Sequence, residues 1–496
     1  MKDSDRKLYR ARIVDDYVRG RMNRRSFLRN ASALGLGAGV LGNGLARPRQ
    51  AFAQEGTALE PSAEVLAWVK EVSKPFAGQT IRLATESTPP SNTINSQLKK
   101  YFEEASGIKV EIEILPLEQV LQKLTLDIAS ALGTYDLYYV DQSWAASVSR
   151  DVFDPREQIE EKPDLVMPDY NIDDFMPALV DGVAKYEDRW VGVPYDIPIF
   201  IMQYRKDIYD NMGFSAPQTL EEYYDQCKAI TEEYGPDMFG STGQMKSGHY
   251  SLETDWTMWL WGHGGSIFRP DGTFAGNDEQ GLAAMEYWTR LKETMPPGVT
   301  GWTWDGQGQS IAQGVAATMM SWGEFFPYFD DPAASKVSGL MEPARCPKPN
   351  ALRTVEETAF GEIPGIGHQG GSSLAVSRNS KNPDAAWIFM QWATCADTQV
   401  LITALGGGTG PTRASVYEDE RIIANRRVGA GTTRHLDVVR ETIANDMGSE
   451  PDLPQWAELS NDTIPVRLGQ YFAGEFGSAK EVMDDIAAAA DKIVQG

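Results

Sequence analysis

The sequence predicts an α/β fold with a largely parallel sheet, spread over more than one domain. Three observations carry this. Between residues 78 and 144, apolar and amphipathic runs alternate as strand–helix–strand–helix–strand. The chain has 496 residues, too many for one ordinary core. A long extended run, "WVGVPYDIPIFIMQYR" (190–205), exceeds a tidy strand and precedes a helix-rich region, as a segment leaving one domain for another would.

The elements follow in order. "TIRLATES" (80–87) is a strand whose apolar run breaks at Glu86-Ser87. In residues 89–107, Ile94, Leu98, Tyr101 and Phe102 recur at helical spacing, and Gly107 is a natural stop. "IKVEIEIL" alternates as a strand, "LEQVLQKLTLDIASALG" is an amphipathic helix, and "YDLYYVDQSW" is a strand ending at Asp141. Further on, Thr219 opens a helix with Glu222 three residues later, the spacing of a capping box. Helices are predicted over "ETDWTMWLWGHGG", "EQGLAAMEYWTRLKETM" and "NPDAAWIFMQWATC", and the C-terminal third is mostly helical. "AATMM" (316–320) reads as a buried strand with Ser321, Trp322, Gly323 and Glu324 just past its end, and "GGSSLAVSRNS" as a strand after a double glycine.

Charge separates a short N-terminus from the rest. The whole chain carries −24, yet residues 1–53 hold 12 Lys and Arg against 4 Asp and Glu, a net of +8 that leaves −32 for the remainder. The acidic bulk argues against nucleic acid, whose phosphates demand a basic patch. Residues 1–53 read as an export signal: "NRRSFLR" places two adjacent arginines before a short Gly/Ala-rich apolar run, and Ala51-Phe52-Ala53 supplies a small-x-small cleavage pattern. The motif resembles the bacterial twin-arginine signal and predicts a mature start at Gln54 in the periplasm. Three cysteines (227, 346, 395) are no disulfide framework, although one bridge stays open, and four scattered histidines give no zinc spacing. No metal or other cofactor is expected.

Four blocks in order, "ASGIKVEIEILPLEQVLQKLTLDIASALGTYDLYYVDQSW", "GVPYDIPIFIMQYRKDIYD", "GLAAMEYWTRLKE…VAATMMSWGEFF" and "GGSSLAVSRNSKNPDAAWIFMQWAT…GGTGPTRASVY", resemble the family 1 extracellular solute-binding proteins of sugar-importing ABC transporters. The resemblance implies a two-lobe, type II-like periplasmic binding protein fold with discontinuous lobes and a ligand cleft between them. Lobe 1 would be 54–198 plus 375–412, and lobe 2 199–374 plus 413–496. The crossings would lie in "GVPYDIPIFIMQYR", near Leu374–Ser377 and near Gly410–Ser415, and hinge closure would trap the ligand. It implies a monomer that hands its ligand to a membrane permease.

In open α/β sheets ligands sit beyond the carboxyl ends of the strands. The residues there are Glu86, then Asp141, Gln142 and Trp144, then Trp322 and Glu324, with Gly371 and Ser372 at the start of "SSLAV" and Tyr195 and Asp196 in the crossing run. "WTW" offers Trp302 and Trp304, and Arg413 follows the loop "GGGTG". Carboxylates accept strong hydrogen bonds from hydroxyls, and aromatic rings can carry the C–H face of a sugar. This set suits a carbohydrate or polyol. Each residue also has a plainer use. Trp144 and Trp322 could be core, the "WTW" rings lobe packing, Glu324 a charge at a helix start, and Arg413 the partner of an acid. A Trp322 that stacks on ligand could be truncated with little loss of stability. Trp259, Trp261, Trp288, Trp387 and Trp392 lie in helical patterns and read as core.

A rival is an exported glycoside hydrolase with Glu86 and Glu324 as paired carboxylates, about 5–9 Å apart. The eight βα repeats common in hydrolases of this size are missing. An exported redox enzyme is weaker still, because no dinucleotide, haem or iron–sulfur motif is present. "GGGTG" lacks the Lys-Ser/Thr ending of a phosphate loop.

Overall fold

The computed structural model describes residues 59–406, 408 and 410–495. The proposed export signal, its cleavage pattern and the start at Gln54 lie outside the described residues. Two sheets organise the rest. The first contains β1 (Thr80–Glu86), β2 (Lys109–Leu115), β3 (Leu137–Asp141), β4 (Val193–Asp196) and β8 (Ser372–Val376), in the order β2-β1-β3-β8-β4. The second contains β5 (Phe200–Arg205), β6 (Thr318–Trp322) and β7 (Met341–Ala344), in the order β6-β5-β7. β1, β2 and β3 run parallel, as the strand–helix alternation predicts, whereas β8 runs antiparallel to both β3 and β4. Only long-range pairing decides that reversal.

Local chemistry accounts for the element boundaries. The helix Lys99–Ser106 ends at Gly107, whose φ of +70° is the left-handed conformation that glycine adopts without a Cβ penalty. The helix Leu220–Tyr234 starts where the Thr219 hydroxyl accepts the Glu222 backbone N–H at 3.2 Å. β3 and β8 are buried along their whole length, which is why both read as apolar runs with little alternation. The helix Tyr250–Gly262 is buried on every side, so its apolar residues follow no single face, and it buries Glu253 and Asp255 along with its tryptophans.

Two large apolar cores follow the two sheets. The first joins Ile81, Leu83, Phe102, Trp387 and Trp392, and the second joins Trp256, Trp259, Trp261 and Trp288. All five tryptophans read as core are buried, and the three cysteines are buried and free. A third, small core occupies the junction: Leu179, Val183, Ile197, Ile199, Ile201, Val439, Ile443 and Met447.

The chain passes from β4 to β5 in three residues, 197–199, inside the segment the sequence marks as a crossing. The second crossing differs from expectation. It lies at 369–371, because Leu374–Val376 is committed to the first sheet between β3 and β4. There Gln369 pairs with Ile199, and Gly410 pairs with Ile197 from the third segment. Gly370 presses on the second core, where an added Cβ would stand 2.6 Å from Cη2 of Trp322.

That contact sets a prediction. Gly370→Ala should destabilise the protein by about 1–3 kcal/mol through overpacking, read as a lower urea midpoint. An unchanged midpoint would mean that the crossing has room to move.

Candidate functional site

β3, β8 and β4 are neighbours, and their register pairs Ser372 with Asp141 on one side and with Asp196 on the other. Because β8 runs backwards, its first residue meets the carboxyl ends of β3 and β4. Asp141, Ser372 and Asp196 therefore form a row along one sheet edge, with strands about 4.8 Å apart. Glu86 ends β1 at the same edge. Glu324 arrives from the second sheet, in the single turn that follows β6.

The carboxyls of the two sheets feel each other. Burial, then the charges of Asp141 and Asp196, push Glu86 up to about 8, against the pull of a Tyr139 hydroxyl that donates to its Oε2 at 3.1 Å. Burial pushes Asp141 up to about 7, although its Oδ1 accepts both the backbone N–H and the hydroxyl of Ser143 at 2.9 and 2.6 Å. Glu324 is raised well above its ordinary value by burial, then by Asp196 and Glu86. Its Oε2 has no hydrogen-bond partner among the described residues, and its side chain caps neither its own turn nor the helix that follows. It makes no capping hydrogen bond, although it stands in the first turn of its own short helix.

Hydroxyl and aromatic groups complete the surroundings. The rings of Tyr139 and Tyr195 meet edge to face at 6.4 Å, and the Tyr195 hydroxyl lies 3.3 Å from Ser91 Oγ. Trp304 is partly buried and packs against both large cores. Its ring meets that of His249 at 4.7 Å, and His249 Nε2 reaches Glu118 Oε1 on the helix after β2 at 3.2 Å. The glycine-rich loop closes the same region. A Cβ on Gly406 would meet Thr93 Oγ1 at 2.1 Å, and one on Gly408, at φ +105°, would meet the Glu324 carbonyl at 2.2 Å. Glycine is required at 408 for both reasons.

Of the residues expected at the site, Glu86, Asp141, Tyr195, Asp196, Trp304, Glu324 and Ser372 gather here. Six others do other work. Trp144 is 0 % exposed inside the first core. Trp322 lies within β6 rather than past its end, and its ring is packed on Phe200 at 4.2 Å and His368 at 5.9 Å. Trp302 packs over Gly298 and Gly306 on the second core. Arg413, 1 % exposed, donates to the carbonyls of Thr394 and Asn171 at 2.7 and 2.8 Å and lies over the Phe175 ring at 4.0 Å. Gln142 donates to the Gln369 carbonyl at 2.6 Å and also accepts from its side-chain amide, so both amides are used at the crossing. Gly371 is enclosed there by Gln369 and Ile197.

Sequence reasoning missed Tyr139, Ser91 and His249. Tyr139 was within reach, because period-two alternation in "YDLYYVD" sets it on the same face as Asp141. Ser91 and His249 carry no local signal.

Residues 97–429 match the family model described as bacterial extracellular solute-binding protein. The chain is 25% identical over 411 residues (81% of this chain, 84% of the relative) to a Sinorhizobium fredii protein described as a probable amino-acid ABC transporter periplasmic-binding protein. It is also 25% identical over 372 residues (71% and 78%) to the mannitol-binding protein of Pseudomonas aeruginosa. A solved ABC transporter solute-binding protein from Agrobacterium radiobacter, in complex with ribitol, shares the fold with a TM-score of 0.74 at 24% identity, covering 85% of this chain and 100% of that one.

Two predictions follow from the geometry. Trp322→Ala should cost about 3–5 kcal/mol of stability, measured by denaturant unfolding, because the ring is core. A loss below about 1 kcal/mol would return Trp322 to the cleft. Glu86 has a folded-state value of about 8 against an ordinary 4.5. Its contribution is therefore complete below the ordinary value and is lost as pH climbs toward the folded one. The ligand-free melting temperature should fall across that window, and Glu86→Gln should flatten the fall. An equal slope in the variant would assign the titration elsewhere.

Proposed function

Because the chain belongs to the bacterial extracellular solute-binding family, we propose that it captures a carbohydrate or polyol in the periplasm and delivers it to an ABC import permease, without turning it over. One observation carries the choice of ligand. The charges that act on Glu86 and Glu324 from their surroundings are all acidic: Asp141, Asp196, Glu118 and Asp305 beside each other. A free amino acid brings a carboxylate that needs a cation, and the one arginine expected here, Arg413, is buried against backbone carbonyls elsewhere. A hydroxyl-rich neutral molecule brings donors, and carboxylates are strong acceptors. Relatives described as mannitol-binding and ribitol-bound support the same class.

Capture works by bringing the two sheets' carboxyls together around the ligand. Glu86, Asp141, Asp196 and Ser372 belong to the first sheet's edge, and Glu324 to the second. The three crossing segments allow a hinge between them. The His249–Glu118 contact and Trp304 act as a latch on the closed form, since they join elements of both cores. We read lobe 1 as 54–198 plus 375–412 and lobe 2 as 199–374 plus 413–496, with 372–374 reassigned to lobe 1 by its strand pairing. Residues 1–53 serve the twin-arginine route, and the protein acts as a monomer.

A thermal-shift panel of neutral polyols, sugars and amino acids tests the ligand class, since a ligand specific to the folded state raises the melting point. At least one polyol or sugar should raise it, with the ligand recovered intact. A shift with amino acids alone, or release of monosaccharide from a glycoside, would overturn the proposal.

A further inference from the structure

Beside the crossing, three side chains from distant parts of the sequence converge. Glu253 lies in the first turn of the helix Tyr250–Gly262, His368 just ahead of the second crossing, and Glu450 just after the short strand Met447–Gly448. One ligand atom from each lies within 4.8 Å of the others. All three are buried, at 0 %, 0 % and 4 % exposure. None has a Lys or Arg partner among the described residues; apart from His368, the groups that hydrogen-bond to the two glutamates are neutral. Thr257 donates to Glu253 Oε1, Trp456 Nε1 to Glu450 Oε2 at 2.7 Å, and the Tyr250 hydroxyl to Glu450 Oε1 at 2.8 Å. His368 Nε2 lies 3.0 Å from the same Oε1, and no donor among the described residues reaches Glu253 Oε2.

We propose that Glu253, His368 and Glu450 bind one divalent cation, with Zn²⁺ or Mn²⁺ as the chemical class. Two carboxylates facing each other in a buried site need a shared proton, a protonated His368 beside them or a metal ion between them. Two carboxylates and a neutral imidazole carry −2, which a divalent ion balances. One nitrogen and two oxygens form a donor set suited to Zn²⁺ or Mn²⁺. The outer donors Thr257 and Trp456 each fix one oxygen of a carboxylate, the arrangement by which metal ligands are oriented from behind. Trp261 stacks on the His368 ring at 5.4 Å and fixes its plane. Charge in the vicinity favours a cation, since Asp141 acts on both glutamates. The ion would tie the helix start, the second crossing and the strand Met447–Gly448 together. Tyr250, which donates to Glu450, also accepts from Gln142 at 3.3 Å, so the site adjoins the crossing amides. Positions 253, 368 and 450 are too far apart for any sequence spacing to reveal the set.

The site is enclosed, so the test loads it during folding. The full chain is unfolded, stripped with chelator, and refolded with one equivalent of Zn²⁺ or, in parallel, Mn²⁺. After desalting, about one ion per chain should remain, with a melting temperature at least about 3 °C above that of the chelated protein. Glu253→Gln, which mimics a protonated acid and should fold, and Glu450→Gln should each retain less than a tenth as much metal. No retained metal and no melting shift in the unsubstituted protein would overturn the proposal in favour of a shared proton. Retention unchanged in both variants would overturn it in favour of the cleft carboxylates.

Discussion

The pairing of Ile197 with Gly410 and of Ile199 with Gln369 is the constraint on which the rest depends. A chain that leaves one sheet and enters another within three residues exposes backbone polar groups at the point of exit. Here the neighbouring crossings satisfy them, and a small apolar core of Leu179, Val183, Val439 and Ile443 seals the junction. The amides of Gln142 and Gln369 close on each other, and Gln369 also donates to the Gly182 carbonyl at 3.1 Å. Buried amides satisfied in this way rigidify a junction, because any slip would strand a polar group without a partner. The hinge is narrow, and rotation about it must preserve these bonds.

Everything at the cleft inherits its position from that junction. β8 can pair with β3 and β4 only because the second crossing returns the chain at Gly371, and that pairing lines up Asp141, Ser372 and Asp196. Burial first, and the neighbouring acidic groups after it, raise Glu86, Asp141 and Glu324, so gathering these carboxyls out of solvent at one sheet edge is unfavourable without a ligand. Strain at a functional site is tolerated when the surrounding structure over-determines it. Hydroxyl donors would relieve it, and under the proposed function that relief would favour closure of the two sheets. The buried glutamates 253 and 450 extend the same acidic region behind the crossing, where solvent cannot share the load.

The site was partly legible in the sequence, for physical reasons that particular residues show. Glu86, Asp141 and Asp196 gather at one sheet edge, as their places in the sequence suggest, because a carboxylate that stops an apolar strand sits at the strand end. Trp144 and Trp322 were misplaced by the same reasoning: a tryptophan one or two residues past a strand can fold back into the core as easily as project from it. Arg413 looked available because its loop is polar, yet its guanidinium is spent on backbone carbonyls and the rings of Tyr170 and Phe175. The resemblance implies a second crossing near Leu374–Ser377, but Ser372–Val376 is a strand of the first sheet, and the double glycine ahead of it lies at the crossing itself.

The sequence by itself determined the elements, because period and capping are local: the helix after Thr219, the stop at Gly107, the parallel run of β1, β2 and β3. It also determined the membership of the family, through ordered blocks spread along most of the chain. Tertiary structure alone decided which strand ends meet, that β8 runs backwards between β3 and β4, and that Glu324 faces Glu86 across the two sheets. It alone assembled Glu253, His368 and Glu450. Contacts between residues eighty or more positions apart leave no periodicity to read, because they are fixed by how the two cores pack about one crossing.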